Sequence, residues 1–481
     1  MNIEQIYTGC LAQGAYYIES NGEVAIIDPL REVQNYIDSA AKNNAKIRYI
    51  FETHFHADFV SGHVTLAEKT GAEIVFGPSA KTNFEAIIAV DNQVFNVGDI
   101  TITVLHTPGH TMESSCFLLK DKKGKDHAIF SGDTLFLGDV GRPDLAQKGA
   151  VTEKDLAGFL FDSLRNKVMP LADDVIVYPA HGAGSACGKN LSKETVGTIG
   201  HQKETNYALR ANMTKEEFVK EVTDGLLPPP AYFPLNVKLN KEGYKSVDDI
   251  IKTSAKPLSV EDFELIANET DAIILDVRHQ TEFVKGFIPQ SIFIGIDGGF
   301  APWVGALIKD IEQPILLVTP QGKEADTITR LSRVGFDNVI GYLEGSFASW
   351  QKAGKEADTL QSVSVAVLEQ KINENALVFD VRKPGEYNSE HIENVPSTPL
   401  DFLNDYIAEF PENDDFFLHC AGGYRSVIAS SILRLKVYHD NEYDYVPCTY
   451  QITLRKVCFF PATHKYQNSN IYEDELLFSS Y

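Results

Sequence analysis

The chain has 481 residues and a formal net charge of −24, too long for one ordinary core and about three domains on length alone. That acidity excludes nucleic acid and anionic membrane as expected partners, because both need basic surfaces, but a local Arg can still bind a small anion. Six scattered cysteines without tight spacing read as reduced thiols rather than a disulfide framework.

The start, Met1-Asn2-Ile3-Glu4-Gln5, has no basic stretch followed by an apolar one, so no secretory signal is expected. No apolar run approaches membrane-spanning length, and a cytoplasmic location is the expectation. The apolar run Ile47-Arg48-Tyr49-Ile50-Phe51 leads into Thr53-His54-Phe55-His56-Ala57-Asp58-Phe59. Positions i, i+2 and i+4 of an extended or turn-like segment point to one side, so His54, His56 and Asp58 can converge on a cation. Phe59 can coordinate nothing.

Three further landmarks follow. Thr107-Pro108-Gly109-His110-Thr111 places a histidine on a tight turn, and Phe130-Ser131-Gly132-Asp133-Thr134 a carboxylate where an apolar strand ends. Tyr178-Pro179-Ala180-His181-Gly182 places a histidine after the apolar strand Val175-Ile176-Val177. Each is a strand running into a loop, where ligands gather on a rigid scaffold. Together they resemble the HxHxDH signature and later motifs of the metallo-β-lactamase superfamily, which implies an N-terminal αββα sandwich.

Dinuclear members of that superfamily, such as glyoxalase II-like hydrolases, use Asp, the last His of the signature and the final His for a second metal. Asp58 and His181 are present here, but Phe59 removes the middle ligand, and catalytic zinc normally wants three protein ligands. One metal per chain is therefore expected. His54, His110 and Asp133 make a set of two imidazoles and a carboxylate, the type used by non-haem Fe(II) oxygenases. This set resembles the persulfide dioxygenase branch, which implies one Fe(II), with Zn as the alternative. His56, Asp58, Phe59 and His181 would then surround the ligands, orienting them and ordering water.

The loop Gly138-Asp139-Val140-Gly141-Arg142-Pro143-Asp144 looks like the Arg-bearing loop of persulfide dioxygenases. Arg142 is a candidate to orient Asp133 or to hold an anionic group of a thiol substrate. Gly182-Ala183-Gly184-Ser185-Ala186-Cys187 lets backbone approach a ligand closely, which makes Cys187 a candidate persulfide carrier or gate, or a packing residue. Tyr207, and more weakly Arg210, are candidates for the distal part of the substrate; His63 and Cys116 read as structural. Thr214-Lys215-Glu216-Glu217 reads as a helix N-cap with an acidic first turn. Leu227-Pro228-Pro229-Pro230-Ala231-Tyr232-Phe233-Pro234 cannot be helix or central strand and reads as an arm or linker.

Past residue 257 an internal repeat begins. Ile273-Ile274-Leu275-Asp276-Val277-Arg278 matches Leu377-Val378-Phe379-Asp380-Val381-Arg382, and Glu282-Phe283 matches Glu386-Tyr387. Ile315 to Thr319 matches Asp415 to His419, each followed by a loop and an apolar-periodic helix, the order of a parallel α/β unit. The second copy reads His419-Cys420-Ala421-Gly422-Gly423-Tyr424-Arg425-Ser426. Cys420 falls between a strand end and a helix start, where backbone N–H groups and the helix dipole stabilise an anion; Arg425 adds charge and bidentate donors. Both copies resemble rhodanese domains, which implies sulfur transfer through Cys420. The first copy has Pro320-Gln321-Gly322-Lys323-Glu324 there and is expected to be inactive, serving as spacer or docking surface.

The first copy ends in a strand, a Gly turn and a helix through Trp350. The second tracks it only to about Leu433. Beyond it, from Lys436 through to Tyr481, no strand–Gly–helix element is expected, and the tail after about 434 is expected to diverge, by a reading-frame shift or otherwise. Cys448 and Cys458 have no assigned role. The expected organisation is α/β throughout: residues 1–256 the sandwich with its helical and Pro-rich extension, 257–357 an inactive rhodanese-like domain, and 361–481 a rhodanese domain with an atypical end.

The resemblance implies an enzyme that oxidises a low-molecular-weight thiol persulfide with O₂ to sulfite and thiol, coupled to a sulfurtransferase that interconverts persulfide, sulfite and thiosulfate. A homo-oligomer is expected. The alternatives are a zinc thioester hydrolase of the glyoxalase II kind and a non-catalytic persulfide relay.

Overall fold

The computed structural model describes residues 1–146, 151–411, 414–439 and 456–458. The chain forms two units, Met1–Asp358 and Thr359–Tyr481.

The first unit opens with two six-stranded sheets. One orders β1 (Asn2–Thr8), β2 (Gln13–Ser20), β3 (Glu23–Ile27), β4 (Lys46–Glu52), β5 (Glu73–Phe76) and β6 (Ile87–Ile88) in sequence. The other contains β7 (Val94–Val97), β8 (Ile100–His106), β9 (Ser115–Lys120), β10 (Asp126–Gly132), β11 (Ile176–Pro179) and β12 (Gly197–Thr198), also neighbours in sequence. Alternation along the strands buries one face of each sheet against the other, as Ile18, Ile27 and Phe51 meet Ile102, Phe117 and Phe130 in one core. The outer faces are covered by helices. Gln34–Lys42 and His63–Thr70 pack through Tyr36 and Leu66, while Glu153–Ser163 and Lys215–Thr223 pack through Leu160 and Phe218. The result is the expected αββα sandwich. The N-cap read at Thr214 is a capping box with Glu217.

The Pro-rich segment needs one correction. Its end, Phe233-Pro234, opens the helix Phe233–Glu242, since proline is tolerated in a first turn whose N–H groups have no partner anyway.

The first unit continues into a five-stranded sheet of β13 (Pro257–Leu258), β14 (Ile273–Asp276), β15 (Ile292–Phe293), β16 (Ile315–Val318) and β17 (Val339–Leu343), in the order β13-β17-β16-β14-β15 and parallel throughout. Strands such as Ile315–Val318 are buried along their whole length, as a sheet covered on both faces demands.

The second unit repeats this plan with β18 (Gln361–Val363), β19 (Leu377–Asp380), β20 (Phe416–His419) and β21 (Lys456–Cys458), in the order β18-β21-β20-β19. Here the expectation for the tail is corrected. The helix after Cys420 runs on from Tyr424 to His439, and Lys456–Cys458 pairs in parallel between β18 and β20, the place β17 holds in the first copy. Three residues are too few for a periodic signal; backbone pairing on both sides defines the strand. The expected loss of the Gly turn and last helix, and Cys448, lie outside the described residues. No helix among the described residues is long and apolar enough to cross a membrane.

Candidate metal centre

β4 delivers its chain at Glu52 into the loop from Thr53 to Gly62, and the backbone there is fixed by Asp28 at the end of β3. Asp28 takes a left-handed φ of 48° and accepts from the Thr53 backbone N–H (2.8 Å) and hydroxyl (2.8 Å). Thr53 Oγ1 in turn meets His54 Nδ1 at 3.0 Å, which turns His54 Nε2 toward Asp133. His110 is set in the same way. Its Nδ1 meets the Arg142 carbonyl at 2.8 Å, and its Nε2 lies 3.3 Å from Asp133 Oδ2. His54 Nε2 lies 3.9 Å from the same oxygen. Burial, then the neighbouring imidazoles, hold His54 well below the usual imidazole range, so it is neutral and fit to donate a lone pair.

His181 completes the ring from the end of β11. Its Nδ1 meets the Ala12 carbonyl at 3.2 Å, and its Nε2 lies 3.4 Å from Asp58 Oδ2 and 3.6 Å from Asp133 Oδ1. Both oxygens of Asp133, Oδ1 of Asp58 and Nε2 of His181 are buried without a hydrogen-bond partner. A lone buried carboxylate is costly. Imidazoles anchored from behind through Nδ1, beside orphaned carboxylate oxygens, are the donor set a divalent cation satisfies. The residues present therefore fit a metal.

Two of the three-ligand groups among the described residues bear on the metal count. His54, His110 and Asp133 place their ligand atoms within 4.8 Å of one another, and so do His56, Asp58 and His181. The sequence reading counted only Asp58 and His181 toward a second site; His56 supplies the third donor that position 59 lacks. Whether it can coordinate depends on its proton. His56 Nε2 lies 3.1 Å from Asp28 Oδ1 and 3.5 Å from Glu52 Oε2, while Nδ1 has no partner. Burial pulls this imidazole down, but the charges of Asp28, Glu52 and Asp58 together outweigh it and lift it to about 9. An imidazolium offers no lone pair; a neutral ring protonated at Nε2 would keep Nδ1 bare. Phe59, fully buried, packs its ring 4.4 Å from that of His56.

The candidate substrate residues are placed less simply. The Arg142 guanidinium is bound by Asp144 (2.7 Å from Nε to Oδ1), the Ala186 carbonyl and the Leu227 carbonyl, so its donors brace three loops. It orients His110 through its own carbonyl. Tyr207 donates to Asp139 Oδ1 at 3.0 Å, and Asp139 Oδ2 accepts from the Lys189 and Asn190 N–H groups. Tyr207 thus stiffens the loop after Cys187. Arg210 pairs with Glu221 near the surface. Cys187 is buried and forms a ligand group with Asp133 and His181. Burial, followed by the charges of Asp58 and Asp133, pushes its thiol well up, so it stays protonated.

Gly141 shows how tight the centre is. A Cβ there would sit 2.1 Å from the Asp133 carbonyl and 3.0 Å from His110 Nδ1. Gly141→Ala is expected to destabilise the fold by about 1–3 kcal/mol and to lower metal content, read by thermal melting and elemental analysis.

In the second unit, Cys420 ends β20 and is buried. Gly423 N–H donates to its Sγ at 3.1 Å, as a cradle for an anionic sulfur requires, while the thiol itself donates to Ser426 Oγ at 3.5 Å. Arg425 does not spend its fork on the thiol. It pairs bidentately with Glu386, Nη2 to Oε1 at 2.9 Å, and this pairing holds the Glu386 carboxyl below its usual range. In the first copy Gly322 N–H donates instead to Glu324 Oε1 at 3.1 Å, so its own carboxylate fills the loop where the thiol is missing.

The metallo-beta-lactamase superfamily profile matches residues 8–181, and the rhodanese-like domain profile matches 259–353 and 364–446. A crystal structure of a metallo-beta-lactamase from Staphylococcus aureus is 30% identical, with a TM-score of 0.63 over 71% of this chain and 98% of its own. The chain belongs to the metallo-beta-lactamase superfamily. Its matched region is followed by two rhodanese-like domains. A cytoplasmic hydroxyacylglutathione hydrolase of Arabidopsis thaliana is 35% identical over 28% of this chain, which spans about half (53%) of that relative. The hydroxyacylglutathione hydrolase GloC of Haemophilus influenzae is 27% identical over 39% of this chain and 94% of its own length.

The superfamily match stops at His181, yet part of the bracing comes from beyond it. Asn240, buried in the helix Phe233–Glu242, donates to the carbonyls of His56 and Phe59 (2.8 Å each) and accepts from Ser61 N–H (2.9 Å). The available signal was two asparagines one turn apart, Asn236 and Asn240, which the fold buries on one helix.

Proposed function

We propose that the N-terminal domain is a non-haem iron persulfide dioxygenase and that Cys420 carries a coupled sulfurtransferase. The observation that carries this reading is the pairing of a His54–His110–Asp133 group with a thiol cradled at a rhodanese loop in one chain. His54, His110 and Asp133 would hold one Fe(II), leaving positions open to substrate. Bound there, the iron supplies the activation of O₂, the one step the side chains cannot perform. The overall change is RSSH + O₂ + H₂O → RSH + H₂SO₃.

The chain's own residues set the site. Thr53 and the Arg142 carbonyl fix the two imidazoles, and Asp133 meets them with an unpaired carboxylate. Asp58 and His181 lie beside it as acceptors for a persulfide proton. At the second site the Cys420 thiolate attacks the sulfane sulfur of RSSH, giving Cys–SS⁻ and RSH. Sulfite then takes that sulfur as thiosulfate and restores Cys–S⁻. Sulfite made at one site is consumed at the other, so the tether raises its effective concentration.

The second reading is a zinc thioester hydrolase, favoured by the His56–Asp58–His181 group and by the hydroxyacylglutathione hydrolase relatives. It leaves the rhodanese thiol without a place in the reaction. Metal analysis together with O₂ uptake separates the two. About one iron per chain and persulfide-driven O₂ consumption are expected; two zincs with thioester hydrolysis would overturn the proposal.

A further inference from the structure

The first rhodanese-like copy has no thiol, and its loop is filled by Glu324, yet its helix Glu324–Ser332 is anchored at the far end to the metal centre. The last carbonyls of a helix lack partners within it. Here Ser332 O accepts from Arg31 Nη1 at 2.6 Å, and Arg333 O accepts from the Val60 N–H at 2.7 Å. Asp337, just beyond the helix, grips the same Arg31 bidentately, with Oδ1 at 2.7 Å from Nη1 and Oδ2 at 2.8 Å from Nη2.

Both donors sit next to metal-site residues. Val60 follows Phe59 in the loop that carries His54, His56 and Asp58. Arg31 is fully buried and three residues after Asp28, the carboxylate that holds Thr53 and faces His56. The two segments are also pressed together. Pro29 O accepts from Gly62 N–H (2.8 Å) and Ser61 Oγ (2.9 Å), and a Cβ on Gly62 would lie 2.1 Å from Leu30 O. A guanidinium with no solvent exposure is costly unless its partners are in place; the rhodanese-like copy supplies Ser332 O and both Asp337 oxygens, and the Lys245 carbonyl, 2.9 Å from Nη2, adds a partner from outside it.

We infer that the inactive copy is a bracket for the metal centre: Asp337, through Arg31, and the Arg333 carbonyl, through Val60, are positioning groups that hold the ligand loop and Asp28 in register. This rests on the centre holding a metal and not on which reaction it performs, so zinc or iron serves equally as the probe. The coupling is reciprocal: if the bracket tightens metal binding, metal binding must tighten the bracket by the same factor.

The test uses the full chain loaded with Zn²⁺ and challenged with a chelator. Asp337→Ala is expected to release metal about tenfold faster or more, the range typical of residues that orient ligands, and Asp337→Glu to recover part of the loss. Sulfur transfer from Cys420 should stay at the parental rate in both. A variant that melts lower yet releases metal at the parental rate would overturn the bracket, since a merely structural contact would behave so. Should Asp337→Ala not fold, amide exchange on the parent chain decides. Zn²⁺ should slow exchange at Val60 and over residues 333–336, and unchanged exchange there refutes the coupling.

Discussion

Asp133→Ala is expected to strip the centre of metal and abolish persulfide-driven O₂ uptake, without making the metal-free protein less stable. Asp133 is the residue on which the ligands converge, with His110 Nε2 at 3.3 Å and His54 Nε2 at 3.9 Å from one oxygen and His181 Nε2 at 3.6 Å from the other. Removing it takes a ligand from the first group and a neighbour from the second. Residues that merely orient ligands typically cost 10–100-fold in affinity, so loss of a ligand should exceed roughly 100-fold. Stability separates this role from a structural one. Neither Asp133 oxygen has a hydrogen-bond partner although both are buried, and deleting a buried carboxyl group that makes no hydrogen bond relieves a desolvation penalty. The metal-free variant should therefore melt no lower than the metal-free parent. A large drop in melting temperature with metal retained would mean that Asp133 is a structural residue and the cation sits elsewhere.

The candidate ligands were legible because each lies within a few residues of a strand end, and a short motif carries its own geometry. The αββα sandwich was implied by the superfamily resemblance those motifs carry, and the parallel sheets by the strand, loop and helix order of the repeat. What escaped detection joins residues far apart in the chain. Asp28 holds Thr53, Asn240 holds the His56 and Phe59 carbonyls, and Arg333 holds Val60, in each case through backbone atoms that no side-chain pattern encodes. Phe59 illustrates the limit. From sequence it subtracts a ligand; in space its ring lies on His56, and the fate of a second metal turns on the proton that Asp28 and Glu52 hold on that imidazole. Arg142 is another case. A basic residue in a glycine-rich loop invites an anionic substrate, but Asp144 and two carbonyls already occupy its donors. The strand β21 was invisible for a different reason, since three residues show no period and only their partners define them.

Cys420→Ser is expected to abolish thiosulfate formation while O₂ uptake continues. The substitution keeps the shape of the loop, because a serine oxygen can accept from the Gly423 N–H as Sγ does now at 3.1 Å. It removes the only atom there able to take up sulfane sulfur, since a serine hydroxyl is not ionised at neutral pH and forms no persulfide. A fall of at least about 10³-fold in sulfur transfer is therefore expected, with O₂ uptake changed by less than about twofold, the behaviour of sites that share no partners. Sulfite should then accumulate in place of thiosulfate, one for each O₂ consumed. That product switch tests the coupling and not just the thiol. If thiosulfate persists in the variant, sulfite is being converted without Cys420 and the two halves are not a relay. If O₂ uptake also stops, the rhodanese thiol delivers the persulfide to the metal centre, and the direction of sulfur flow is the reverse of the one proposed.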